Sequence, residues 1–312
     1  MMYTTAFDKA YLTRGIAMIE SLFNQDQEAV VSVLCLDIET EIAVTSLSEN
    51  FNIKILLPHD LGDALILKIR GDREYREFCW TLGALLCNYY LQSGEPEVVY
   101  LDADLYFFAN PQVLLEEARQ GDVAAIKHRF PVRLQHYEVN GLFNVQWIYF
   151  ANTPVGQQAS KKWADQCIEN CSYLPDLGIV GDQKYLDEWP MLYPTFIEVK
   201  NSGAGVAPWN HEIYRPKLRS KQWIVADTNP LIFYHFHGLK ISDDGGIELS
   251  GPIYSQVVPL PIELYSVYIG VLAEVARRFP FLVTGASPST WHITKRSKIV
   301  GQLVKKLKGS LR

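Results

Sequence analysis

The chain has 312 residues and 48% hydrophobic content, enough for a substantial core in one large α/β domain or two small ones. Its formal net charge of -6 excludes a general nucleic-acid binder, which needs a clustered basic surface to neutralise phosphates. No charged region followed by an apolar one opens the chain, and no run reaches the ~20 apolar residues of a membrane span.

The opening run "MMYTTAF" is β-rich, and "YLTRGIAMIESLFNQ" then places Leu12, Ile16, Ile19 and Phe23 at helical spacing. "AVVSVLCLDI" and "FNIKILLP" read as two further strands, the first apolar enough to be covered on both faces. Residues 74–92 form the longest expected helix, which Gly94 and Pro96 terminate before a fourth strand, "EVVYLDAD". This order predicts an α/β fold with a mostly parallel, doubly wound sheet flanked by helices. A helix is expected from Asn110-Pro111, and "AAIKH", "NVQWIYFAN", "FIEVK", "IVADT" and "LIFYHFHG" read as short strands among loops.

Five cysteines, with Cys35, Cys79 and Cys87 among apolar neighbours, fit a reducing, cytoplasmic setting. Cys167 and Cys171 are expected on one helix face as core residues, since no second Cys/His pair of matching spacing stands nearby to complete a zinc site.

Asp102 and Asp104 close the fourth strand, where open α/β sheets gather ligands. On an extended backbone both carboxylates share a face and would repel, a conflict that a hard divalent cation such as Mg²⁺ or Mn²⁺ removes while it binds phosphate oxygens. Two other readings compete. The pair is an unremarkable strand end that caps the next helix, or it belongs to a haloacid-dehalogenase-like phosphatase with Asp102 as nucleophile and Asp243 and Asp244 as the later acidic pair. Near the other end, His235 and His237 would share a strand face, and a glycine followed by a cation, Gly238 and Lys240, suits anionic oxygens. "GAGVAPWNH" offers Trp209 and Asn210 either as loop anchors or as contacts to a sugar, and "KHRF" offers His128 and Arg129 to an acceptor.

Taken together, "TTAFDKAY", "YLDADLYFFANP", "GDQKYLDEWP" and "YHFHGLK" resemble the GT-A type glycosyltransferases, and within them glycosyltransferase family 8. The resemblance implies a GT-A domain over 1–290. Its nucleotide-sugar half spans 1–110, and an acceptor half spanning 111–260 completes the metal site. It assigns Asp102, Asp104 and His235 to Mn²⁺ or Mg²⁺, and Thr5, Ala6, Asp8, Tyr11, Asp102, Ala103, Asn144, Gly238 and Lys240 to a nucleotide-diphosphate sugar, with UDP expected. Asp182 and Gln183 fall beside the transferred sugar, and the reaction implied is retaining transfer to a glycan or lipid-linked acceptor. Lys240 stands one residue early, Asp187 replaces the usual Asn, Gln146 replaces a Gly, and only Arg73 or Arg76 offers the family's donor-binding arginine. A sugar-nucleotide binder without turnover is the remaining alternative.

The tail, 291–312, carries Lys295, Arg296, Lys298, Lys305, Lys306, Lys308 and Arg312 and no acid, so the rest of the chain is more acidic than its net charge suggests. Ile299, Leu303, Leu307 and Leu311 recur every four residues, the pattern of a helix on an anionic membrane surface, and peripheral membrane contact through 293–312 is expected.

Overall fold

The structure is a computed structural model that describes residues 1–174, 178–255, 258–280 and 286–294. The first half alternates as β1 (Met2–Phe7), α1 (Leu12–Gln25), β2 (Val30–Cys35), α2 (Ile38–Ser48), β3 (Ile53–Leu56), α3 (Asp63–Gly71), α4 (Tyr75–Gln92) and β4 (Glu97–Leu101). After β4 come β5 (Leu105–Phe107), α5 (Gln112–Ala118), β6 (Val123–Lys127), a 3-10 segment Val132–Asn140, β7 (Phe143–Ala151) and α6 (Pro154–Glu169). Shorter pieces follow: β8 (Tyr173–Leu174), β9 (Ile179–Val180), α7 (Trp189–Leu192), β10 (Phe196–Glu198), α8 (His211–Tyr214), β11 (Lys217–Arg219), β12 (Gln222–Val225), β13 (Asn229–Pro230) and β14 (Phe233–His235). The described chain ends with β15 (Lys240–Ile241), β16 (Gly246–Glu248), α9 (Pro252–Ser255), the long α10 (Ile262–Arg278) and β17 (His292–Ile293).

Seven strands form the central sheet in the order β10-β6-β7-β4-β1-β2-β3. It is parallel except where β7 runs against β4 and β6. Successive residues of a strand point to opposite faces. Val99 and Leu101 therefore join Tyr3, Val31 and Trp147 under Leu12, Ile16 and Ile19 of α1. Val98 and Tyr100 meet Phe78, Leu82 and Leu86 of α4 and Trp163 of α6 on the other face. Each fully buried aliphatic or aromatic side chain stabilises the fold by roughly 1.5–3 kcal/mol. The sheet is thus a rigid floor, and its carboxyl edge can carry polar groups without losing its place.

Some expected boundaries shift. The second strand stops at Cys35 because Asp37 accepts a hydrogen bond from Thr40 N at 2.8 Å and so caps α2. Cys171 is not on the helix that holds Cys167, since α6 ends at Glu169 and Asn170 is extended, but both thiols are fully buried. Ile293 belongs to a strand and not to a tail helix, because β17 pairs in parallel with β16. From residue 295 onward the expected membrane-binding tail lies outside the described residues. No described helix is long and apolar enough to cross a membrane.

Candidate functional site

The two aspartates leave the sheet at its carboxyl edge. Asp102 N donates to Gln146 O at 3.1 Å, which extends the β4-β7 ladder one residue beyond the strand. The chain then turns into β5, and antiparallel pairing sets His235 of β14 opposite Leu105. That register delivers the imidazole to the acids. His235 Nε2 lies 2.9 Å from Asp104 Oδ1 and 3.8 Å from Asp102 Oδ2. His237 follows two residues later, and one ligand atom from each of Asp104, His235 and His237 fits within 4.8 Å.

The chemistry of this donor set suits a divalent cation. Burial raises the Asp102 carboxyl above the usual carboxylate range. It acts on Asp104 as well, but there the charge and hydrogen bond of His235 outweigh it and hold the carboxyl low. Two enclosed acids that cannot ionise equally are relieved by a cation between them, and carboxylate oxygen with imidazole nitrogen is a usual set for Mn²⁺. His235 Nδ1 is already committed, donating to Gln146 Oε1 at 3.1 Å, so its other nitrogen faces the acids. The side chains present fit a divalent ion: the ligand atoms that all lie within 4.8 Å of one another belong to Asp104, His235 and His237, and Asp102, expected among the ligands, stands beside them with Oδ2 3.8 Å from His235 Nε2.

Next to this cluster Gly238 adopts φ +74°, a conformation that favours glycine, and the turn it makes leads to the exposed Lys240. Arg14 reaches across from α1: it donates to Leu239 O at 3.0 Å and to Ala10 O at 3.1 Å, with its guanidinium 4.9 Å from the Tyr11 ring. The negative charge of Asp104 pushes the Tyr11 hydroxyl up to about 12, which places that ring close to the acids. Tyr11 is 47% exposed and free to meet a ligand. Asp8 is occupied, since its carboxylate accepts from Ala10 N at 3.0 Å, Tyr11 N at 3.2 Å and the Tyr75 hydroxyl at 2.9 Å. Thr5 and Ala103 are buried, and Ala6 is half-buried beside them on β1.

A second group assembles from β7 and the loop after β9. Gly181, at φ +55°, lies against Trp80, where a Cβ would meet the indole at 2.8 Å, and it turns the chain toward Asp182. Asp182 is enclosed, its backbone carbonyl accepts from Trp163 Nε1 at 2.9 Å, and burial raises its carboxyl well above the usual range. Asp102 adds to that rise, so the two acids are near enough to repel. Gln183 is held at both ends: Asn144 Nδ2 donates to its Oε1 at 3.1 Å, and its Nε2 donates to Asn140 O at 2.9 Å. Behind Asn144 stands His128, whose Nδ1 donates to Leu142 O at 3.3 Å and whose Nε2 accepts from Asn144 at 3.0 Å. Asp187 accepts from Leu142 N at 2.6 Å and so fixes the same loop.

The residues offered to an acceptor turn inward. Trp209 is buried, donates to His128 O at 2.8 Å, and stands with its ring 5.3 Å from His235 and 5.5 Å from His237. Asn210 is fully buried and its amide is spent on His128 O, Gly205 O and Ala207 N. His128 is enclosed by its neighbours, and Arg129 stitches Val199 O, Ala204 O and Asn201 O together. These four side chains brace the site from behind. Asp243 and Asp244 are exposed in a separate turn, where Asp244 accepts from Ser242 Oγ at 2.6 Å and Gly246 N at 3.0 Å. Arg73 is tied to Ile168 O and Thr81, while Arg76 stacks between Trp80 and Tyr173 at 4.8 and 4.9 Å.

Sequence reasoning passed over Arg14 and left Gln146 as a mismatch. The signal for Arg14 was its place one helical turn after Tyr11; for Gln146 it was a large carboxamide in an otherwise apolar strand.

No family model matches the chain. It is similar to YfnF of Bacillus subtilis (strain 168), 28% identical over 275 residues that span 84% of this chain and 89% of that one. YfnD of the same strain is 28% identical over 244 residues, 77% of this chain and 78% of its own; both relatives are uncharacterized. Among solved structures the bifunctional glycosyltransferase WbbM superposes with a TM-score of 0.53 at 14% identity, over 89% of this chain and 51% of that one. The glycosyltransferase GlyE of Streptococcus pneumoniae TIGR4 gives 0.52 at 16%, over 89% and 63%. An active-site mutant of LgtC gives 0.50 at 15%, over 86% and 95%. The fold is GT-A. In an open sheet of this kind ligands gather beyond the carboxyl ends of the strands, the edge that Asp102 and Asp104 occupy.

Proposed function

We propose that this protein is a metal-dependent, retaining glycosyltransferase that moves a sugar from a nucleoside diphosphate, UDP foremost, to a hydroxyl of a glycan or lipid-linked acceptor. The observation that carries this reading is the meeting of Asp102, Asp104 and His235 from β4 and β14, with His237, at the carboxyl edge of a GT-A sheet. Mn²⁺ or Mg²⁺ bound there would neutralise the charge that builds on the departing diphosphate. Lys240 and Arg14 bring two further cations to the oxygens of that diphosphate, and the Gly238 turn lets the backbone approach it.

Tyr11, with Thr5, Ala6 and Asp8 shaping the loop behind it, is proposed to meet the base, and Ala103 lines the floor under the ribose. On the sugar side Gln183 is held in one orientation by Asn144 and Asn140, with its oxygen defined by the Asn144 donor. An ionised Asp182 would stabilise positive charge developing at the sugar carbon. Retention of configuration rests on the family 8 resemblance. The phosphatase reading loses its second acidic pair, because Asp243 and Asp244 serve an exposed turn. Cytoplasmic location, surface-glycan synthesis and contact of the tail with an anionic membrane are part of the proposal and rest on sequence composition.

Thermal unfolding with UDP, with and without Mn²⁺, tests the reading. A ligand at about a hundred times its Kd stabilises by about 2.7 kcal/mol, and this protection should require Mn²⁺ and vanish in Asp104→Ala. Indifference to every nucleoside diphosphate overturns it. Slow hydrolysis of a UDP-sugar without acceptor separates a transferase from an inert binder.

A further inference from the structure

Gln146 touches two residues of the proposed metal site, Asp102 and His235, without belonging to it. It is fully buried on β7. Its backbone carbonyl accepts from Asp102 N at 3.1 Å, its backbone N–H donates to Asn144 Oδ1 at 3.0 Å, and its side-chain oxygen accepts from His235 Nδ1 at 3.1 Å. Gln146 Nε2, at the other end of the carboxamide, is buried with no hydrogen-bond partner among the described residues, and it faces Gly205, at which an added Cβ would stand 3.5 Å away.

That arrangement is unfavourable as packing. An enclosed amide nitrogen without an acceptor is destabilising, and an apolar side chain of equal size would avoid the loss. What the carboxamide contributes is the bond to His235. An acceptor at Nδ1 keeps the proton on that nitrogen and leaves Nε2, which donates to Asp104 Oδ1 at 2.9 Å, as the nitrogen that can take a cation in place of its own proton. It also fixes the ring plane, which the Trp209 indole supports from the side at 5.3 Å between ring centres.

We propose that Gln146 is a positioning residue for His235, setting its tautomer and ring orientation so that Nε2 is presented to a divalent cation. The inference rests on the metal-site reading above. Groups that orient a ligating histidine in this way typically change metal affinity by about 10–100-fold when removed. A packing role makes a different demand: it needs the length and volume of the side chain and is indifferent to the oxygen.

The test is a Mn²⁺ titration of the full chain, without nucleotide, that follows the spin-resonance signal of free Mn²⁺. Thermal melts run alongside to confirm that each variant folds. Wild type should bind. Gln146→Met, of similar length but without an acceptor, should weaken binding by about 10–100-fold with little change in melting. Gln146→Asn, which keeps the amide but falls one methylene short, should weaken it as well and replaces the Met variant if that one does not fold. Gln146→Glu, which restores an acceptor, should return toward wild type. Met binding like wild type, or Glu binding as weakly as Met, overturns the role of Gln146 and leaves the metal reading standing. A wild type that binds no Mn²⁺ overturns both.

Discussion

Asn144 Nδ2 stands 3.1 Å from Gln183 Oε1 and 3.0 Å from His128 Nε2, so one amide nitrogen spends both hydrogens on holding two residues of different loops. The consequence is orientation. Gln183 cannot exchange its oxygen and nitrogen ends without placing two donors face to face. Asn144→Leu should therefore lower kcat by about 10²-fold with a smaller change in KM, since a misplaced group beside the reacting centre acts mainly on the transition state. The orphaned partners should also reduce stability by ~1–3 kcal/mol, a melting shift of several degrees. Steady-state hydrolysis of the nucleotide sugar and a thermal melt check both. Unchanged kcat would detach Gln183 from the reaction.

His128 supplies a pH dependence. Burial pushes its imidazole from 6.5 down to about 3, and the two bonds it makes suit the neutral ring. With a folded value below the unfolded one, the unfolded chain takes up the proton first as pH falls. The stability this group contributes is thus complete above about pH 6.5 and is lost progressively toward pH 3. Within that window the loss approaches about 1.4 kcal/mol per pH unit. Urea unfolding at pH 7, 5.5 and 4.5 should show His128→Gln losing stability less steeply than wild type by about that slope. Parallel slopes would mean the ring is protonated in the native protein.

Asp182 has the opposite sign. Its carboxyl is raised by burial, so the stability it contributes is present below pH 3.8, the unfolded value, and falls as pH rises. An ionised Asp182 is a burden to the fold, because burial disfavours the charged form. Asp182→Asn should gain on the order of 1–2 kcal/mol at pH 8 while turnover drops by about 10²-fold or more, the opposed changes expected where a site is kept at the expense of stability. Melts at pH 8 and pH 5 measure the gain, which should shrink at the lower pH. A variant that is both less stable and fully active would make Asp182 a structural residue.

Much of this was readable from the order of residues. Alternation of β-branched strands with helices announced the parallel sheet, because burial on both faces admits small hydroxyls such as Thr4, Thr5 and Ser32 inside β1 and β2 but leaves little room for charge. The aspartates at the end of β4 stood out for the same reason. What the chain order hid was pairing at a distance. β5 and β14 are three residues each, too short for a period to show, yet their register is what sets His235 against Asp104. Trp209 and Asn210 illustrate the converse: an aromatic beside an amide in a glycine-rich loop has the composition of a sugar contact, but both side chains point inward and bond to the backbone. Composition is silent on direction, and direction decides whether such a pair binds a ligand or closes a loop.

Arg14, one helical turn after Tyr11 in sequence, gains its proposed part in the site through a tertiary contact. Its guanidinium leaves α1 to hold Leu239 O at 3.0 Å, and Leu239 is the single residue between Gly238 and Lys240. A cation fixed to that carbonyl steadies the turn and adds positive charge beside Lys240. Both effects favour a diphosphate. Arg14→Met keeps the bulk against Tyr11 and removes the donors and the charge; it should weaken UDP binding in Mn²⁺ by about tenfold, the size of one hydrogen bond to a charged group. Arg14→Lys restores charge without the forked geometry that lets one side chain reach Ala10 O and Leu239 O together, so it should recover only part of the loss. Calorimetric titration of UDP into the three proteins measures the difference. Equal affinity in wild type and Arg14→Met would show that the turn holds itself and that Lys240 alone meets the phosphates.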